Sequence, residues 1–140
     1  MSVEVKVLGP DDGDVLSRVA AGVFDYAVDP DATREFLADP RHHIVVALEH
    51  GTVVGFASGL HYVHPDKPAP ELWINEVAVA PSHRRQGVAT AILHELFALA
   101  RRLGCAEAWV LTEPDNDAAL GLYTAAGGQS QEQVMFSFRL

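Results

Sequence analysis

The chain is poor in cysteine and in positive charge. Cys105 is its single cysteine, which excludes an intramolecular disulfide. Lys and Arg total 10 against 19 Asp and Glu, for a formal net charge of −9. General nucleic-acid binding needs a basic face to displace counterions from phosphates, so no nucleic-acid partner is expected. The sequence has no apolar run near the ~18–20 residues that cross a bilayer. Its first residues, Met1 to Val7, alternate like a strand and lack the apolar segment of a signal peptide. A cytoplasmic protein without a membrane partner is the expectation. His61, His64 and His83 have no zinc-site spacing, so no metal is expected.

What the chain does have is an ordinary globular balance: 140 residues, 49% hydrophobic and 21% charged. That length suits one domain with one core. Ser2–Leu8 reads as a strand. Asp11–Ala27 reads as a helix, with Asp11 or Asp12 as N-cap and Val15, Val19 and Val23 at helical spacing. Asp31–Leu37 reads as a short helix. Ile44–Glu49 and Thr52–Leu60 are β-rich runs joined by a hairpin signal at Glu49-His50-Gly51. The proline-rich stretch His64–Pro70 is a loop. Leu72–Val79 is a strand. Arg85–Leu103 is a long amphipathic helix closed by Gly104. Ala106–Thr112, Asp115–Ala126 and Gln133–Leu140 follow as strand, helix and strand. Strands then βα units imply an α/β protein, a central mixed sheet flanked by about four helices.

One segment carries phosphate chemistry. Val77-Ala-Val-Ala-Pro-Ser-His-Arg-Arg-Gln-Gly-Val-Ala-Thr90 ends a strand, turns, and opens the long helix. Free N–H groups and the macrodipole make such a helix start attractive to anions. Gly87 and Ala89 let a phosphate approach the backbone, and Arg84 and Arg85 add charge. The segment is neither a P-loop nor a dinucleotide fingerprint.

Arg84-x-x-Gly87-x-Ala89 resembles the acetyl-CoA signature of the GNAT (Gcn5-related N-acetyltransferase) superfamily. Asn116-Asp-Ala-Ala-Leu-Gly-Leu-Tyr123-Thr-Ala-Ala-Gly127 is similar to a later motif of that superfamily. The resemblance covers essentially the whole chain and implies one GNAT domain over 1–140, with acetyl-CoA as co-substrate. It implies that main-chain groups of Val77, Ala78 and Val79 hold the pantetheine arm. It assigns the pyrophosphate to the turn through Arg84, Arg85, Gln86, Gly87, Val88, Ala89 and Thr90. Asn116 would contact the pantetheine, and Tyr123 would protonate the departing thiolate. Transfer would be direct, in a ternary complex, with no covalent nucleophile. Cys105 reads as a small core residue.

An attacking amine must lose a proton, and Glu76, just before Val77, is the candidate acceptor. Period-2 alternation puts Glu76 on one face with Leu72, Ile74 and Ala78. A closer resemblance links Tyr62–Val79, His83–Ala91 and the ending Leu122–Gly127 to the type I aminoglycoside 3-N-acetyltransferases. In that group the position of Glu76 is typically aspartate and that of Asn75 typically tyrosine. Antibiotic resistance through acetylation of a 2-deoxystreptamine 3-amino group is what this implies. Aminoglycosides are polycations, and Asp25, Asp29, Asp31 and Glu35 on one side and Glu113, Asp115 and Asp117 on the other offer carboxylates. Asp25, Asp29, Glu35, Glu71, Glu76 and Glu113 are the candidate substrate-binding residues. Another amine, such as a polyamine, a metabolite or a protein amine, and a non-catalytic acyl-CoA-binding module are the alternatives. The superfamily is often dimeric, and the apolar strand Val134–Phe138 pairs either across an interface or within its own sheet.

Overall fold

A computed structural model describes residues 2–140. Five strands form one sheet in the order β1-β2-β3-β4-β5: β1 Glu4–Val7, β2 His42–Glu49, β3 Thr52–Tyr62, β4 Glu71–Val79 and β5 Glu107–Val110. The first four pair antiparallel, and β5 runs parallel to β4. The parallel step is made by the crossover helix α2, Val88–Arg102. Helices α1, Pro30–Ala38, and α3, Asp117–Ala125, complete the three α-helices. Two short 3-10 turns, Gly13–Ser17 and Pro81–His83, make up the rest of the helical structure of the described residues. The mixed α/β sheet agrees with the sequence reading, with three α-helices in place of about four.

Helix α2 lies where its sequence puts an apolar stripe. Val88, Ile92, Leu93, Leu96 and Ala100 are buried against the sheet. A Cβ on Gly55 would come within 3.2 Å of the Ile92 side chain, so β3 carries a glycine where α2 presses closest. The α2-facing side of the sheet therefore includes Gly55, Ala57 and Gly59 and, by register, Val45, Ile74, Val77 and Val79. The helix closes in a Schellman turn. Gly104, at φ 80°, donates to Arg101 O, and Cys105 donates to Ala100 O.

Two long elements of the sequence reading do not form. Asp11–Ala27 is not a helix. After the 3-10 turn the chain is extended, and Val19 bridges Val53 in parallel, with Val53 N donating to Arg18 O and Ala20 N to Val53 O. Its valines are β-branched and weak helix formers, and they bury themselves from an irregular path that turns at Gly22, φ 81°. Gln133–Leu140 is not in the sheet. All twelve residues of 129–140 are exposed, and no hydrogen bond among the described residues reaches them. No helix of the described residues is long and apolar enough to cross a membrane.

Candidate acetyl-transfer site

Two irregularities in β4 shape the site. Across the β3–β4 ladder Gly59 pairs with Ile74 and Ser58 with Glu76, so Asn75 is one residue too many. This β-bulge reverses the alternation. Ile74 shares the α2 side with Gly59, whereas Glu76 and Ala78 share the opposite side with Ser58 and Phe56. The sequence reading grouped Glu76 with Leu72 and Ile74. The bulge corrects that grouping and takes Glu76 out of the α2 core. The second irregularity is a parting of strands. The pairing of β4 with β5 stops at Ile74–Val110, so the β5-side backbone edge of Val77–Val79 has no ladder partner. Main-chain groups left open in this way suit the amides of an extended ligand arm.

On the face away from α2 is a cleft of about 370 Å³. Glu76, Ser58, Phe56 and Ile44 form its floor, and Phe24, Asp25, Asp29 and Thr33 close it from the other side. Phe24 stacks on Phe56 with ring centroids 4.2 Å apart, fixing the segment that carries Asp25. Burial raises the Glu76 pKa above the ordinary carboxylate value, and the negative charge of Asp25 raises it further. Asp29 caps α1 by accepting from the Asp31 N–H. Tyr26 stands at the rim, 88% exposed. Sequence reasoning missed the apolar walls Phe24, Phe56 and Ile44. The β3 alternation that pairs Phe56 with Ser58 was the available signal.

Beyond Val79 the chain turns into the start of α2. Arg85 has φ 62° and Gly87 φ 77°, both left-handed. This is why α2 begins at Val88 rather than at Arg85 as its periodicity suggests. No side chain caps the helix start, so its first N–H groups remain available to a ligand. An added Cβ on Gly87 meets nothing within 4 Å, so the approach is open. Of the two arginines, Arg84 donates Nε to Val79 O at 3.2 Å and ties the turn to the strand end. Gln86 reaches back to Ser82 O. His83, half-buried, contacts Glu49 at 3.1 Å and Ser82 at 2.7 Å. The turn thus fits a pyrophosphate in backbone geometry, with Arg85 as the free charge.

The remaining candidates are distributed unevenly. Asn116 caps α3 through its side-chain oxygen, which accepts from Ala119 N, and its amide nitrogen is left for a ligand. Tyr123 lies on α3, partly buried against the core, and burial raises its phenol pKa, keeping it protonated. Glu71 is at the far end of β4. Lys67 and the Tyr62 hydroxyl both donate to it and hold its carboxyl below the usual range. Glu35 and Glu113 are exposed and do not line the cleft. Among the described residues no group of three or more His, Cys, Asp or Glu is arranged to hold a metal ion.

The sequence pattern of the Acetyltransferase (GNAT) family matches residues 15–127. The chain belongs to this family. Acetyl-CoA is the acyl donor of this family. The N-alpha-acetyltransferase RimI of Mycobacterium tuberculosis is 34% identical over 100 residues, covering 71% of this chain. This chain spans about 60% of the length of that relative. Among solved structures, an aminoglycoside acetyltransferase from an uncultured soil metagenomic sample superimposes with a TM-score of 0.86 at 24% identity, covering 100% of this chain and 99% of that one. The aminoglycoside acetyltransferase AAC(6′)-Iy, solved with a bisubstrate analogue of CoA and acetylneamine, gives 0.81 at 20% identity, covering 100% and 99%. These two likenesses are of fold.

Proposed function

We propose that the chain is an acetyl-CoA-dependent N-acetyltransferase whose acceptor is an amino group of an aminoglycoside, the 3-amino group of 2-deoxystreptamine first. The observation that carries the reading is the bulge at Asn75. It turns one carboxylate, Glu76, into a cleft that also holds Asp25 and Asp29, one residue before the open edge Val77–Val79. A polycation gains from several carboxylates in one cleft.

Bound acetyl-CoA supplies an activated acetyl thioester. Glu76 takes the proton of the attacking amine, directly or through water, and its raised pKa makes it a better base near neutrality than a free carboxylate. The neighbouring Asp25 holds the ammonium group before transfer. A free N–H of Val77–Val79 donates to the developing oxyanion. Tyr123 donates a proton to the leaving sulfur. Asp25, Asp29 and Glu76 are the substrate carboxylates of this scheme, and Glu35, Glu71 and Glu113 fall outside the cleft. Resistance to an aminoglycoside is the corresponding cellular role.

A second reading changes the acceptor only. The RimI likeness favours a protein N-terminal amine, and the AAC(6′)-Iy fold likeness favours the 6′-amino group. Thiol release from acetyl-CoA is measured with gentamicin, spermidine and N-terminal peptides side by side, and the product is mapped. Turnover of gentamicin at the 3-amino group is expected. A 6′ product corrects the regiochemistry. Turnover of peptide alone overturns the drug acceptor and keeps the cofactor site. Tyr123→Phe is expected to lower kcat at least about tenfold with acetyl-CoA affinity unchanged.

A further inference from the structure

The bulge at Asn75 changes neighbours as well as faces. On β3, Ser58 and Leu60 point to the same side, and their partners on β4 are Glu76 and Trp73. Plain alternation would put Trp73, three residues before Glu76, on the opposite side. The extra residue brings the two to one side, separated by two steps of strand, roughly 6–7 Å. Trp73 is thus the side chain that follows the carboxylate along this face of β4. It stays partly exposed.

Trp73 is braced by a second indole. Its position pairs with Trp109 across the parallel β4–β5 ladder, and the rings stack with centroids 5.9 Å apart and planes 25° apart. Trp109 is held in turn. Its Nε1 donates to the Tyr62 hydroxyl at 2.7 Å, and that hydroxyl donates to Glu71 at 3.0 Å. Lys67 donates to the other Glu71 oxygen at 2.6 Å. The indole N–H of Trp109, the phenol and the carboxylate therefore find their partners inside the protein. What this network leaves open is rigid indole surface beside a carboxylate. Rings fixed in advance lose little entropy when a ligand settles on them.

We infer that Trp73 is a specificity residue: the wall that receives the sugar ring linked beside the reacting amine. The inference rests on the reading of the acceptor as an aminoglycoside whose amine meets Glu76. An amino sugar suits this wall twice over. Its C–H face packs on an indole, and its ammonium groups are attracted by the ring quadrupole. Glu76 and Asp25 add negative charge on the same side of the sheet. The step from Glu76 to Trp73 is on the scale of one pyranose ring, so a ring joined to the one that bears the amine comes to lie over the indole. A linear polyamine has no ring to place there.

Trp73 and Trp109 are the chain's two tryptophans, so tryptophan emission reports on this wall alone. Gentamicin, added to the protein with CoA bound, is expected to change that emission with saturation. Trp73→Ala is expected to raise the KM for gentamicin at least about tenfold, with kcat within about twofold and the KM for acetyl-CoA unmoved. Trp73→Phe, which keeps an aromatic face, is expected to recover most of the loss. The Ki of 2-deoxystreptamine, which lacks the neighbouring sugar, is expected to be the same in Trp73→Ala and the parent. Equal weakening of both ligands, or a loss that Phe does not recover, makes Trp73 a structural residue and overturns the inference. Turnover of gentamicin with unmoved emission and an unmoved KM also overturns it, and leaves the acceptor reading standing. Acetylation of another amine with no turnover of any aminoglycoside ends that reading and this inference together.

Discussion

Glu76 pairs with Ser58 across the β3–β4 ladder, although Ile74, two residues earlier, pairs with Gly59 on the other side of the sheet. One extra residue, Asn75, separates a carboxylate in a cleft from a carboxylate in the α2 core. Buried beneath α2 without a partner, a charge at position 76 would cost several kcal/mol. In the cleft it is half-buried and reachable. The raised pKa is the residue of that compromise: burial first, then repulsion from Asp25.

That compromise has a measurable sign. A carboxyl whose pKa is higher in the folded chain favours folding while protonated and loses that contribution as pH rises through the folded value. At neutral pH Glu76 therefore works against stability. Glu76→Gln is expected to raise the Tm at pH 7 by about a degree or two, with the difference shrinking towards pH 4. In the same variant kcat for the amine acceptor is expected to fall about 10²- to 10⁴-fold. A thermal melt and one initial-rate series on the same sample check both. An unchanged rate would remove Glu76 from the reaction.

Asp25 acts on Glu76 through charge. Removing it leaves burial as the cause that raises the Glu76 pKa. Asp25→Asn is expected to move the acid limb of the kcat/KM profile to lower pH and to raise KM for a polycationic amine. A profile measured from pH 5 to 9 for both proteins checks this. A rise in KM with no shift of the limb would leave Asp25 as a binding group alone.

Gly87 tests the turn before α2. Its φ of 77° suits glycine, and nothing crowds an added Cβ within the protein. Gly87→Ala is expected to cost about 1 kcal/mol of stability through backbone strain alone. Its Cβ would stand in the open approach to the helix start, so acetyl-CoA affinity is expected to fall at least about tenfold in calorimetry. Gly87→Glu, which adds negative charge and bulk, is expected to abolish binding. Unchanged affinity in both would move the pyrophosphate away from this turn.

The parts of the molecule that local physics determines were legible in the sequence. Helix α2 followed from its apolar stripe, and its end from Gly104. Helix α3 followed from its sequence, starting at Asp117 with Asn116 as its cap rather than at Asp115. What escaped depends on partners distant in sequence. Val15, Val19 and Val23 satisfy helical spacing, but their segment is held by Val53 instead. The bulge at Asn75 changes no composition, yet it decides which face Glu76 takes. Glu35 and Glu113 are charges of the expected type whose positions only the fold assigns, outside the cleft.

His43 and His61 supply a stability prediction away from the site. Their rings stack with centroids 4.9 Å apart, and His43 Nε2 and His61 Nδ1 are 2.7 Å apart. One ring nitrogen donates and the other accepts, so the pair works with at least one ring neutral. Burial, then the nearness of His61, lowers the His43 pKa to about 4. In the unfolded chain an ordinary histidine titrates near pH ~6.5. Between those values the unfolded chain binds a proton that the folded chain refuses, so stability is lost as pH falls from ~6.5 to about 4. With allowance for solvent screening of a half-buried ring, the loss is roughly 1–2 kcal/mol. His43→Gln is expected to be less stable at pH 7.5, where the pair is intact. Its further loss of stability down to pH 4.5 is expected to be smaller than that of the parent by about that amount. Urea denaturation of both proteins at the two pH values gives the comparison. Parallel losses would mean that His43 titrates alike folded and unfolded, and that the acid sensitivity of the fold arises elsewhere.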